Sequence, residues 1–451
     1  MTYGIISLIP VLTVCIVAVA TKRVMEPLLA GTIIGFIILA KQNFALAWLG
    51  GLYTVLSDSS LQFVIIVPVL FGIFTILLQN SGSTHQFTVF ARKYVKSQKG
   101  SLLMTWALGL VVFIDDYLNT LVVGPAMRNL TDEYGVPREA LGYVLKGTSS
   151  PLAVITPFST WAMFLAGLLI ANGVAPEGTD PSALYIKVIP YVFYGFVALI
   201  LVPLLIVGVI PKIGAMKTAF NRVAETGNTF PSDEVRPESM IDAEDSGKAR
   251  LYDFFVPIFA LVLIKVIVGV DMEIAIIFGI LICGILYIAR GIMKPGAFFD
   301  SIVKGMESMV SLILLMIFAY MLVEANSQLG LTDFIIAMVL PLMNDALFPL
   351  IVFLVAGGLG FFTGSFWGVA AILMPIIIPM AQELDVSVYL AAGSVISGIV
   401  FASHACFFGD SLLLASFATE VKPMKIAMVV LPYALIGAII TAVLYLIIGI
   451  I

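Results

Sequence analysis

Two adjacent aspartates, Asp115 and Asp116, stand inside an apolar run and are followed within one helical turn by Asn119. A carboxylate at mid-membrane depth costs about 2.5–3.5 kcal/mol on insertion scales, so it is kept where it meets a cavity, an ion or a partner. Adjacent acids on a broken helix point in different directions. One can face a cavity and take a proton or a cation while the other caps a helix end or pairs with a cation. Asn119 offers an uncharged oxygen, and hard cations such as Na⁺ prefer carboxylate, carbonyl and hydroxyl oxygens. Asp115, Asp116 and Asn119 are therefore the expected Na⁺ ligands. The competing readings are two helix caps and an interhelical amide hydrogen bond.

Two further clusters could serve the same chemistry. Thr148-Ser149-Ser150-Pro151 and Thr156-Pro157 interrupt one long apolar run. Such breaks free backbone carbonyls for a cation and half-helix N-termini for an anion. Thr148, Ser149, Ser150, Thr156, Ser159 and Thr160 offer hydroxyls there, although small hydroxyl residues also serve ordinary helix packing. Near the C-terminus, Ser403-His404 and Gly409-Asp410-Ser411 form the matching break. An unperturbed imidazole titrates near neutrality, which suits proton coupling, and Asp410 is expected as its partner or as a second acid. Thr363-Gly364-Ser365-Phe366-Trp367 occupies the place of the aspartate pair in the second half without an acid, so the two halves are chemically unequal. Thr363, Ser365 and Trp367 are candidate substrate contacts, with Trp161 a second candidate wall. Gly357, Gly358, Gly360 and Gly364 are expected to let the arms of a second hairpin pack closely. His85 reads as a surface residue, Glu26 and Glu273 as helix N-terminal acids, and the three scattered cysteines as structural.

The elements that position these residues follow from composition. The chain has 451 residues, 61% hydrophobic and only 11% charged, whereas soluble domains carry roughly a quarter charged residues. Apolar stretches long enough for a bilayer recur from end to end. The first lacks the basic start of a signal peptide and ends at Lys22-Arg23, so it reads as a permanent span. The net charge of −5 comes without a dense basic stripe and excludes a nucleic-acid partner. A polar linker, 211–250, separates two membrane halves, 1–210 and 251–451. Similarities recur across it at an offset of about 250 residues, as in many transporters: Met25-Glu26 matches Met272-Glu273, Asn80-Ser81 matches Asn326-Ser327, and Phe113 to Pro125 matches Phe362 to Pro375. Basic loops in one half correspond to loops poor in Lys and Arg in the other, which favours inversion, with the N-terminus outside.

This predicts an all-α polytopic membrane protein of two inverted repeats. Spans are expected at 4–20, 25–40, 61–79, 183–210, 252–270, 272–289, 308–325 and from about 426. Re-entrant hairpins are expected at 101–130 and 346–380. Broken spans are expected at 140–171, leading to an acidic loop at Glu177 to Asp180, and at 388–419. The total is about ten spans plus two hairpins.

The stretch from Phe113 to Trp161 resembles the NhaC-type sodium/proton antiporters of the ion transporter superfamily. The Asp115-Asp116-Tyr117-Leu118-Asn119 cluster, Arg138-Glu139-Ala140-Leu141, the Thr148 to Pro151 break and Pro157 to Trp161 carry the likeness, with His404 and Asp410-Ser411 near the C-terminus. The resemblance implies exchange of Na⁺ for protons, or coupled exchange of small carboxylates or amino acids. It also implies a homodimer with elevator-like movement in a prokaryotic cytoplasmic membrane. Two departures stand out. Lys146 occupies a place where the family is expected to carry an acid, and its ammonium could replace a bound cation or pair with Asp115 or Asp116. The segment Cys406-Phe407-Phe408-Gly409 lacks the expected proline and leaves a more apolar break.

No resident cofactor is expected, with Na⁺ and H⁺ as transported ions. The leading expectation is an antiporter in which a proton and Na⁺ compete for acids around Asp115, Asp116 and Asp410. The alternative is an organic-solute antiporter in which Lys146 or a half-helix N-terminus holds a carboxylate, lined by Ser403, Ser411 and the hydroxyls of the first break. An intramembrane enzyme built on His404, Asp410 and Ser411 lacks a defined geometry. A channel would need a continuous polar pore.

Overall fold

Inside hydrocarbon every backbone N–H and C=O must find its partner within the chain, and among the described residues the chain meets this demand with helices alone. The computed structural model describes residues 3–21, 23–113, 115–176, 179–231, 248–265, 271–339 and 345–450. Seven of its helices are long and apolar enough to cross a membrane, or nine when two bent pairs each count as one span. The molecule is an all-α polytopic membrane protein.

The first half comprises α1 (Ile9–Thr21), α2 (Met25–Ala40), α3 (Phe44–Ser57), α4 (Ser59–Asn80), α5 (Ser83–Ala91), α6 (Gln98–Val111), α7 (Asp116–Glu133), α8 (Arg138–Ile155), α9 (Thr160–Ala171), α10 (Pro181–Ile186) and α11 (Phe193–Val207). After α12 (Gly214–Thr226) come α13 (Leu251–Leu263), α14 (Met272–Ala289), α15 (Pro295–Gln328), α16 (Leu331–Val339), α17 (Phe348–Thr363), α18 (Phe366–Glu383), α19 (Val388–Ala405), α20 (Asp410–Thr419) and α21 (Pro423–Ile450). The starts at 116, 138 and 160 recur at 366, 388 and 410, so the order of elements repeats at the constant offset read from the motifs.

Several expectations need correction. The stretch between 40 and 60 is helical: α3 folds back on α2, with Trp48 donating to Thr32 at 3.1 Å and Gly51 packed on the Phe36 ring. The span expected at 183–210 is broken at Val192, two residues after Pro190, where α10 with its following turn meets α11 at 66°. Proline cannot donate to the helical ladder, which accounts for the break. The span expected at 308–325 is the C-terminal part of a 34-residue helix, about 51 Å at 1.5 Å per residue. The linker holds α12, whose Met216 and Ala219 are buried. The calls on Lys22, on Glu177 and on most of the linker's acids fall outside the described residues.

Helices α6 and α7 double back on each other where the first hairpin is expected. Helix α6 has 14 residues, about 21 Å, too short for a hydrocarbon slab of about 30 Å. Gln98 at its start donates to the Gly135 carbonyl beyond α7 at 2.6 Å, so chain entry and exit lie side by side. The second hairpin turns at Gly364, whose φ of +70° is a left-handed conformation that suits glycine. Gly357 and Gly360, expected between the arms of that hairpin, instead lie against Phe401 and Ala402 of α19.

Helices α4 and α15 meet backbone to backbone. A Cβ on Gly305 would lie 2.4 Å from the Ile73 Cα, and one on Gly72 would lie 2.7 Å from the Gly305 carbonyl oxygen. Small residues permit this approach in membranes, where close packing replaces the hydrophobic drive. Gly305→Val is expected to destabilise the protein by about 1–3 kcal/mol, the usual penalty of overpacking. Unfolding in detergent measures it, and wild-type stability would refute the contact.

Candidate functional site

Asp115 lies in extended backbone just before α7, and its Oδ1 accepts the N–H groups of Tyr117 and Leu118 at 2.9 and 3.0 Å. This is the N-cap position that aspartate favours. Its Oδ2 accepts from Thr160 at 2.8 Å, joining the hairpin tip to the start of α9. Asp116, the first helical residue, points elsewhere. Its Oδ1 accepts from the Trp161 indole and its Oδ2 from Ser150, both at 3.1 Å. The two acids thus divide into a cap and a side chain aimed at the α8–α9 break, and both side chains are buried. Both donors to Asp116 are neutral. Charged groups also act on the pair from a distance, Asp410 of α20 on Asp116 and Lys265 beyond α13 on Asp115.

Asn119 donates from its amide nitrogen to the carbonyls of Gly109 and Val112 at 2.7 and 2.8 Å. Two carbonyl partners fix the amide orientation, because only nitrogen can donate. The bonds tie the end of α6 to α7 and leave Oδ1 buried without a hydrogen-bond donor. The donor set is neutral oxygen plus carboxylate, which suits a hard cation. Among the described residues no three His, Cys, Asp or Glu side chains converge as metal ligands.

The second break is wired differently from the expectation. The His404 Nε2–H donates to the Lys146 carbonyl at 2.5 Å, which leaves Nδ1 facing the Tyr194 hydroxyl at 3.1 Å. His404 therefore does not pair with Asp410, because the end of α19 faces α8 and α11. Asp410 accepts from the Tyr117 hydroxyl at 2.5 Å and from the Ser411 N–H at 2.6 Å. Lys146 donates to the Ser403 carbonyl at 2.9 Å and the Ser411 hydroxyl at 3.1 Å, not to Asp115 or Asp116. The reason is directional: helical side chains lean toward the N-terminus. Lys146 sits one turn before Ser150 on α8, and its ammonium leans away from the aspartates toward α20.

Most candidate hydroxyls are occupied within their own helices. Thr148, Thr156, Thr363 and Ser403 donate to carbonyls three or four residues back. Ser159 caps α9 through the Ala162 N–H. Ser149 is buried, and Ser365 leads α18 without a side-chain cap bond. Only Ser150 and Thr160 reach the aspartates. Tyr117, Trp161 and Tyr194 were not singled out as polar partners. The signal for Tyr117 lay in its register, since it stands in its hairpin where Trp367 stands in the other. Trp161 and Trp367 pack against each other across the two halves, ring centres 4.6 Å apart and planes tilted by 36°.

Below this site a charge cluster ties three helices together. Arg138, fully buried, is bidentate to Asp132 with its shortest contact 2.5 Å, donates to the Thr419 carbonyl at 2.9 Å and meets Glu420 at 3.3 Å. Arg128 pairs with Glu420 at 2.5 Å. The Arg138–Thr419 and Lys146–Ser411 contacts run α8 and α20 antiparallel, while Tyr117–Asp410 and Gly124–Ala418 run α7 and α20 in the same direction. Between this body and α3, α4 and α15 lies a cavity of about 500 Å³, reached by Tyr117, Trp367 and Asp410 on one side and Tyr320 and Glu324 on the other.

The family model for the Na⁺/H⁺ antiporter family matches residues 180–450. An uncharacterized protein of Haemophilus influenzae is 26% identical over 482 residues, an alignment covering 98% of this chain and 90% of the relative. The arginine/ornithine antiporter ArcD of Halobacterium salinarum is 22% identical over 220 residues, covering 48% of this chain and 45% of its own. Among solved structures, the YdaH transporter of Alcanivorax borkumensis has a TM-score of 0.42 at 17% identity, covering 87% of this chain and 88% of its own. MtrF of Neisseria gonorrhoeae has 0.41 at 12%, covering 91% and 85%.

Removing Arg138 strands Asp132 and the Thr419 carbonyl, while Glu420 keeps Arg128. Arg138→Met is expected to cost about 3–5 kcal/mol, as when one partner of a buried pair is lost. Arg92→Gln, which breaks the exposed pair with Glu133, is expected to cost under about 1 kcal/mol. Equal losses in a denaturation series would contradict the distinction.

Proposed function

The chain belongs to the Na⁺/H⁺ antiporter family, and we propose that this integral membrane antiporter exchanges a monovalent cation, Na⁺ first, for protons. The observation that carries the proposal is the buried Asp115–Asp116 pair, in which Asp116 meets only neutral donors. Two adjacent ionised carboxylates in a low-dielectric interior repel each other and lose hydration, so a bound proton or a bound cation must offset their charge. One pair holding either ion, never both, couples the two flows. The orphaned Asn119 Oδ1 supplies a further oxygen beside the hairpin tip. Deprotonation on one side permits the cation to bind, and protonation on the other releases it.

Alternating access then requires this pair to face each side in turn. The Arg138–Asp132–Glu420 cluster holds α7, α8 and α20 as one body, and the cavity between that body and α15 supports an elevator-like displacement against a scaffold. The antiparallel course of α8 and α20 supports opposite orientation of the two repeats, since α20 is the counterpart of α9. A homodimer in a prokaryotic cytoplasmic membrane completes the reading.

A second reading, exchange of an organic solute, is favoured by the volume of the cavity, which far exceeds an ion, and by the named activity of the arginine/ornithine relative. Lys146 does not line that cavity, so a carboxylate held by its ammonium is not the form this reading takes.

Proteoliposomes carrying a pH dye and given external Na⁺, Li⁺ or K⁺ test the proposal. Wild-type protein is expected to alkalinise the lumen on Na⁺ addition, as protons leave in exchange, and Asp116→Asn to show only the response of protein-free vesicles while eluting as a folded species. Full exchange by Asp116→Asn would remove that residue from the mechanism.

A further inference from the structure

We propose that the cavity between α15 and the α7–α18–α20 tips is a binding site for a small organic cation, bearing an ammonium or guanidinium group on an apolar body. The proposal rests on the reading that the protein is an alternating-access antiporter, and names the class of solute such a site would take. At about 500 Å³ the space falls within the range of small-molecule pockets, roughly 300–1,000 Å³, whereas a dehydrated Na⁺ needs only its ligand oxygens.

The walls say what kind of molecule fits. Seven of the described lining residues are aromatic, among them Trp367, Phe63 and Phe408. Aromatic rings bind an organic cation through their negative faces and bury its hydrocarbon, while offering a hard metal ion little against water. The polar lining has one sign: Asp410, Glu324 and Asp58 contribute carboxylates, and no Lys or Arg lines the cavity among the described residues. The carboxylates sit at different parts of the wall. Asp410 is at the start of α20, fixed by the Tyr117 hydroxyl. Glu324, on α15, accepts from Gln328 at 2.6 Å. Asp58 stands at the α3–α4 junction, where the second half has the unbroken α15. The one buried lysine near this region, Lys146, lies behind the wall with its ammonium occupied by the Ser403 carbonyl and Ser411 hydroxyl. An anionic solute would meet three carboxylates and no cation.

The placement also joins the solute to the ions. Asp410 lies on the same body as Asp115 and Asp116, while Glu324 and Asp58 lie on the opposing elements. A cationic group held by Asp410 would travel with the body and exchange Glu324 for water as it moves.

Binding to the purified full-length protein tests this separately from transport. Titration calorimetry in detergent would use agmatine, cadaverine, glutarate and NaCl, at constant ionic strength. Agmatine or cadaverine is expected to bind saturably and glutarate not. Glu324→Gln and Trp367→Leu, each confirmed folded by size exclusion, are each expected to weaken binding about tenfold or more. Binding of glutarate in preference to the amines would overturn the proposal. So would the absence of amine binding to wild-type protein, or unchanged affinity in both variants. Na⁺-driven proton movement is read independently in vesicles, so its loss or retention judges the ion-coupling proposal alone.

Discussion

The structure is organised around a pair of neighbouring carboxylates that have been taken out of water and given no counter-ion of their own among their hydrogen-bond donors. Asp115 spends one oxygen on the start of α7 and the other on Thr160, while Asp116 reaches the two sides of the same α8–α9 break through Ser150 and Trp161. Charge in such a place must be met from outside, and the demand shapes what surrounds it. A helical hairpin carries the pair at its turn, and the interrupted α8–α9 span supplies the hydroxyl and indole donors. The base of that hairpin is then clamped by arginines to α8 and α20.

The duplicated architecture is used unequally. Where the first hairpin carries Asp115, Asp116 and Tyr117, the second carries Ser365, Phe366 and Trp367, and where the first break carries Thr160 the second carries Asp410. The acids are therefore exchanged between equivalent positions rather than doubled. Cross-repeat contacts join them, Tyr117 to Asp410 and Trp161 to Trp367. Lys146 completes the asymmetry, since its ammonium stitches α8 to the second break, and His404 returns a hydrogen bond to the same residue's carbonyl.

Much of this was legible in the residues. Length and apolarity announced the spans, and Thr156-Pro157 announced the break between α8 and α9, whereas the Thr148 to Pro151 cluster, expected to interrupt the helix, stays inside α8 with Pro151 accommodated in it. The repeat offset held from motif to helix start. Partnerships were harder to read, because they depend on which face of a helix meets which neighbour. His404 and Asp410 are six residues apart, yet the break turns them to different neighbours. Lys146 could not be aimed without knowing that α20 packs beside its own turn. Helix α3 was missed because a tight reversal at Lys41, with φ of +48°, carries no proline or glycine to mark it. The glycines of α17 were assigned to the wrong partner, since a small-residue stripe shows that something approaches closely and not what.

The central claim is that one buried site holds either a proton or a cation. Proton release on ligand binding measures this most directly: purified protein in weakly buffered detergent, a pH indicator, and additions of NaCl against an equal ionic strength of magnesium chloride. Saturable release on Na⁺, absent in Asp116→Asn, is the expected result. Saturable Na⁺ binding, followed in parallel with radioactive sodium, without any proton release at any pH between 6 and 9 would contradict competition at a shared site.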